Sequence, residues 1–244
     1  MPSNDLKLAE IVASMSPTSV ADAISLLRAL DGELSSDDGL KWFNLLYLIV
    51  TEEVRDQSAV VQWENPKWLE RLDVIFAGLY FAALSDWFHS RDRAARCWSP
   101  LFESRDKPGI LRVQFAFAGI NAHINHDLAV ALVSTGKELR RVPRRGSREY
   151  RDFDKVNGIL EVAQEKARQF ITTGIVGLID ESLGSVDDML AGWSIRKARE
   201  TAWTNAEILW RLNRAPAIRN EFLINLDRLV ALSSRGILIP VAKN

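Results

Sequence analysis

The 244 residues carry 31 Lys and Arg against 32 Asp and Glu, a net charge of −1, so no global field recruits nucleic acid or an anionic membrane surface. An apolar content of 47 % is that of a globular chain able to bury one sizeable core, and a single Cys97 excludes both a disulfide framework and a cysteine-rich zinc site. The opening MPSNDLKLAEIV has neither a basic start nor a continuous apolar run, so no secretory leader is read and a soluble cytoplasmic protein is expected.

In chain order, Ser19 caps an amphipathic pattern over 17–30 with Val20, Ile24 and Leu27 on one side. The polar break DGELSSDDG follows, then a second helix at about 38–55 carrying Trp42, Phe43, Leu46, Tyr47 and Val50. SAVVQWEN reads as a connection, extended if it is regular at all. Pro66 suits the first turn of a third helix that reaches about residue 88, with Leu69, Leu72, Phe76, Leu79, Ala83 and Trp87 in one stripe. In the same helix Arg71 and Asp73 read as a surface or inter-helix ion pair. HSRDRAARCWSPLFESRDKPG reads as a loop with a short helix, and its Cys97 as incidental.

Between Arg112 and Lys137 there is no Lys, Arg or Glu, and apolar residues occupy every side of the expected helix, so it is read as buried all round. At its middle stand Asn121, His123, Asn125, His126 and Asp127. Their presence makes a membrane span expensive. Buried, they need partners, because an unsatisfied polar group costs about 1–3 kcal/mol. The basic run KELRRVPRRGSREYR (137–151) is either a solvated loop or a lid over an anionic ligand. A long helix is expected over 151–182 with a kink at Gly174 and Gly177, another from Asp187 and Asp188 to about 212, and a last one from Pro216 to about 234. No period-2 run and no internal repeat appears. The expectation is an all-α single-domain bundle of about seven helices around a buried central helix: a helical body over 37–236, preceded by an N-terminal helix and polar connection (1–36) and followed by a tail (237–244).

DGLKWFNLLYLIVT (39–51), RLDVIFAGLY (71–80), GINAHINHDL (119–128), DFDKVNGIL (152–160) and GWSIRKARETAW (192–203) together resemble the DUF5995 family. The resemblance marks Asn121, His123, Asn125, Asp127, Asp154, Asn157, Arg199 and Trp203 as part of the family pattern, with His126 at a variable position. It implies a helical fold, bacterial origin and, for some members, a setting in specialised metabolism; it implies no particular reaction.

Candidate chemistry centres on His123 and Asp127, four apart and so neighbours on one helix face. A carboxylate that orients an imidazole makes a general base; the same pair can equally serve only to fasten helices. Asp154 is the candidate second carboxylate, able either to approach Asp127 as an acid or to pair with Arg199. Asn121 and Asn125 can position a substrate or cap carbonyls, with Asn157 a further amide. Arg199 and Trp203, four apart, are expected to stack as a cation–π unit able also to clamp an anionic group of a substrate. Trp42, Trp87, Trp193 and Trp203 belong either to the core or to an aromatic pocket for a planar ligand.

A metal would be held by His123, His126 and Asp127, zinc or iron, with His89 as a distant fourth candidate; HxxH without HExxH makes this the third reading. No P-loop, GxGxxG or GxSxG is present, and no cofactor is expected. The leading expectation is acid–base chemistry on an apolar small molecule (cyclisation, isomerisation, elimination or hydrolysis). It is set against a non-catalytic ligand- or partner-binding protein. A homodimer is compatible with the sequence; nucleic acid and membrane are not expected partners.

Overall fold

The computed structural model describes the backbone over residues 3–173 and 194–241 and the side chains over 4–163 and 194–241. Helices α1 (Ser3–Ser14), α2 (Val20–Glu33), α3 (Gly39–Ser58), α4 (Pro66–His89) and the short α5 (Ser99–Ser104) lead to the central helix. After it come α8 (Arg148–Thr173), α9 (Ile195–Arg211) and α10 (Pro216–Ile237). No strand occurs among the described residues. The expected kink at Gly174 and Gly177, the helix start at Asp187 and Asp188, and Trp193 fall outside them.

Local chemistry sets the boundaries. Ser19 and Asp22 form a reciprocal capping box at the start of α2, Asp38 accepts the Leu40 N–H at the start of α3, and Ser194 accepts from Lys197 at the start of α9. Pro66 occupies the first turn of α4, where its missing N–H costs nothing, and Asn65 caps the same turn. SAVVQWEN is a turn rather than an extended segment, tied by the Trp63 Nε1–H donating to the Ser58 carbonyl at 3.0 Å. Helix α1 was not foreseen; it buries only Leu8 and Val12, too short a pattern to stand out.

The central helix is not uniform. It is α-helical over Arg112–Ala122 (α6) and Leu128–Glu138 (α7), but His123–Asp127 forms a π turn, seen in the Leu128 N–H reaching back to the His123 carbonyl. One residue is inserted into the turn, a local irregularity often met at functional sites.

Helices α3, α4, α9 and α10 pack on this central helix, whereas α1 and α2 rest on α3 and α4, and α8 packs on α3, α4 and α9. The crossing of α3 over α6 is close because each supplies a glycine to the other's phenylalanine. A Cβ at Gly39 would enter the ring of Phe115, and one at Gly119 the ring of Phe43. Two apolar clusters result. One joins Leu8, Leu27, Phe43, Tyr80, Trp98 and Leu238; the other joins Trp68, Leu132, Phe153 and Trp203. Ala122 belongs to the first and Leu128 to the second, so the polar π turn lies between them. No described helix is long and apolar enough to cross a membrane.

Candidate functional site

The carboxylate of Asp127 is the hub of the π turn. It accepts hydrogen bonds from His123 Nδ1 at 3.0 Å, His126 Nδ1 at 2.8 Å and Trp98 Nε1 at 3.0 Å, and is 3 % exposed. Burial alone would raise its pKa, but the two imidazoles outweigh that and hold it below the ordinary carboxylate value. Burial pushes His123 down against the pull of Asp127, so it is a neutral imidazole donating from Nδ1. Burial also opposes charge on His126, yet the bond to Asp127 and the charges of Asp127 and Asp227 hold its pKa above the usual value.

His123 is enclosed by aromatic rings. Phe76 stacks flat on it with centroids 3.6 Å apart, and Tyr47, Phe43 and Trp98 pack around it at 4.7, 5.9 and 5.8 Å. Its Nε2 is buried and has no hydrogen-bond partner among the described residues. The pair expected from spacing therefore forms, in a closed setting.

The other expected residues divide. Asn125 donates to Asn121 at 2.8 Å, and Asn121 donates to the Val230 carbonyl at 3.0 Å and to Ser234 at 2.9 Å, which fastens α10 to the central helix. Asp154 does not approach Asp127. It is half-exposed and pairs with Arg196 at 3.1 Å, because the register of α8 turns it outward while Asn157 turns inward. Arg199 does not stack on Trp203; it lies over the Phe153 ring at 3.9 Å and donates to Asn157 Oδ1 at 2.8 Å and to the Phe153 carbonyl at 2.6 Å. Asp154 accepts from Asn157 at 2.9 Å, so it acts on Arg199 through that amide.

Trp203 packs instead against Tyr150, Phe153 and Trp68 in the core, and Trp87 is likewise buried, while Trp42 lies under Arg112. His89 is exposed, its Nδ1 at 2.8 Å from the Ser85 carbonyl. Of the suggested metal set, His123 and His126 both turn Nδ1 to the Asp127 carboxylate, so the three side chains are joined to one another by hydrogen bonds. The basic run is latched by acids: Arg145 meets Glu200 at 2.6 Å and Arg151 meets Glu64 at 2.6 Å.

A cavity of ≈ 70 Å³ opens beside the central helix, walled by Val50, Leu69, Leu72, Leu128, Val156 and Leu160 together with Tyr47 and Phe76. Roughly five waters, or a ligand of that size, would fill it. Two charged groups enter this apolar space, Asp73 and Arg199. No ion pair joins them, and among the described residues nothing hydrogen-bonds the Asp73 carboxylate. Burial raises Asp73 to about 7, against the attraction of Arg199 and with a further push from Glu70. Asp73 keeps partial surface exposure and lines the cavity. Burial likewise lowers Arg199 to about 10 despite Asp73, Asp154 and Glu200.

The expected ion pair of Arg71 and Asp73 is not made with each other: Arg71 reaches Glu138 of α7 at 2.7 Å. The signal was present: Asp73 lies four after Leu69, three before Phe76 and seven before Tyr80, on the buried side of α4.

Comparison with curated proteins and with solved structures finds no match. The profile of DUF5995, a family of unknown function, matches residues 20–240, nearly the whole chain, and the protein belongs to the DUF5995 family.

Proposed function

We propose that the protein is a small-molecule enzyme that works by acid–base chemistry in the cavity beside the central helix, with Asp73 as the proton-transferring group. The observation that carries this is a carboxyl raised to about 7 that shares a cavity of mostly apolar walls with the Arg199 guanidinium. A group poised near neutral pH is both a usable base and a usable acid, and such perturbed groups concentrate at functional sites. Arg199, held over Phe153 and fixed by Asn157, offers its remaining N–H to a carboxylate, enolate or carbonyl oxygen of the ligand. Tyr47 and Thr51 supply hydroxyls at the same wall. The substrate class is a small, mostly apolar molecule with one oxygen-bearing head.

His123 and Asp127 serve in this reading as the fastening behind the cavity wall, separated from it by Phe76. The closed packing around His123 favours that role over the general base expected from sequence.

The test is to incubate the purified full chain with a metabolite extract and follow it by untargeted mass spectrometry, beside Asp73→Asn. A compound consumed by the wild type and spared by the variant is expected, its rate turning over near pH 7. Identical extracts from the two proteins refute the acid–base reading. A compound that co-purifies with the wild type unchanged, and is lost in Arg199→Met, would assign the cavity to binding alone.

A further inference from the structure

Cys97 from the loop before α5, His126 from the π turn and Asp227 from α10 converge. The thiol sulfur, an imidazole nitrogen and a carboxylate oxygen all lie within 4.8 Å of one another. We propose that these three side chains bind a divalent transition-metal ion, zinc by the chemistry of the donor set, with a fourth position left to water or a small anion.

Thiolate, imidazole and carboxylate are the three ligand types zinc accepts, and three protein ligands with one open place is the pattern of a catalytic rather than a structural site. Metal–ligand bonds of about 2.0–2.3 Å put tetrahedral donors about 3.3–3.8 Å apart, so the closure needed is at most about 1.5 Å, within reach of side-chain rotation. On binding, the thiol proton leaves to solvent, and the thiolate and Asp227 together balance the two positive charges of the ion.

The supporting bonds around the ligands are already made. Asp127 takes the His126 Nδ1–H at 2.8 Å, which fixes the tautomer and leaves the Nε2 lone pair for the ion. Asp127 is itself held by Trp98 and His123. Asp227 accepts the backbone N–H of Cys97 at 2.8 Å on one oxygen and of Arg96 at 3.2 Å on the other, which holds the carboxylate in place near the thiol. Cys97 is fully buried while His126 and Asp227 keep partial exposure, which gives the ion a way in.

None of the three lines the cavity, so this site and the acid–base reading stand or fall separately.

The experiment uses the full chain stripped with a chelator and titrated with cobalt(II). The expected result is one equivalent bound, with a thiolate-to-cobalt charge-transfer band in the near ultraviolet that zinc abolishes by displacement. Cys97→Ser should remove the band. His126→Gln and Asp227→Asn should each weaken binding at least about tenfold. His89→Gln, at an exposed imidazole outside the cluster, should change nothing. Melting curves in metal-free buffer identify variants that fold as the wild type does. A wild-type chain with no saturable band overturns the proposal, as does a band that survives Cys97→Ser. If Cys97→Ser fails to fold, unaltered cobalt affinity in a folded Asp227→Asn overturns it equally.

Discussion

Phe76 lies flat on the imidazole of His123, planes 7° from parallel and centroids 3.6 Å apart, and the same ring lines the cavity that holds Asp73. One side chain therefore separates a buried imidazole, its Nε2 without a partner among the described residues, from a space that a small molecule could occupy.

Phe76→Ala should join the two. Loss of the ring is expected to cost about 3–5 kcal/mol of stability, as for other large core truncations. His123 should then gain water, and its pKa, now held down by burial, should rise toward the ordinary histidine value. Titration of the imidazole C–H resonances by NMR reads this directly. An unchanged His123 titration would mean that Tyr47 and Phe43 seal the imidazole without help from Phe76.

Asp73 gives the chain an unusual pH dependence. Its folded-state pKa is about 7 against 3.8 for the free group, so between those values the folded protein binds the extra proton. Stability attributable to this residue is thus highest below about pH 4 and is lost as pH rises toward 7, by at most about 4 kcal/mol. Asp73→Asn should raise the urea midpoint at pH 8 and leave it nearly unchanged at pH 4, while removing activity. Equal effects at the two pH values would show that the carboxyl is not perturbed.

Asp127 runs the opposite way. Its folded pKa is depressed, so the stability it confers is present above the unfolded value of 3.8 and is lost as pH falls below it. Asp127→Asn leaves at least one of three buried donors without an acceptor and is expected to cost about 3 kcal/mol at pH 7, with a smaller loss on acidification than in the wild type. Chemical denaturation at pH 7 and pH 3 measures both.

Much of this arrangement was legible in the sequence, for identifiable reasons. The apolar periods of α2, α3, α4 and α10 fixed their existence, and caps or prolines at Ser19, Pro66 and Pro216 fixed their starts within a few residues. A polar group inside an all-apolar helix has to find partners, which made the cluster at 121–127 visible in advance. What no spacing rule gives is which partners are found. Trp98 and Asp227 reach the π turn from elements 29 and 100 residues away from Asp127, and Asp73 meets Arg199 across a cavity. The π turn itself depends on tertiary packing, and in it His123 and His126 share the Asp127 carboxylate.

The crossing of α3 over α6 predicts opposite outcomes for one chemical change at two glycines. Alanine in place of glycine inside a helix ordinarily stabilises by about 0.5–1 kcal/mol, because less backbone entropy is lost on folding. At Gly78 in α4 an added Cβ meets nothing within 4 Å, so Gly78→Ala should raise the melting temperature by a few degrees. At Gly119 the added carbon would enter the ring of Phe43, which is 2 % exposed and packs edge-on against Tyr80 and Trp98 at 5.0 and 5.2 Å. Phe43 cannot withdraw without moving the rings that enclose His123, so Gly119→Ala should lower stability by about 1–3 kcal/mol and shift the His123 resonances as well. Calorimetry of the two variants side by side checks the sign at each. A stabilising Gly119→Ala would mean that α3 and α6 do not approach as closely as the paired glycines require.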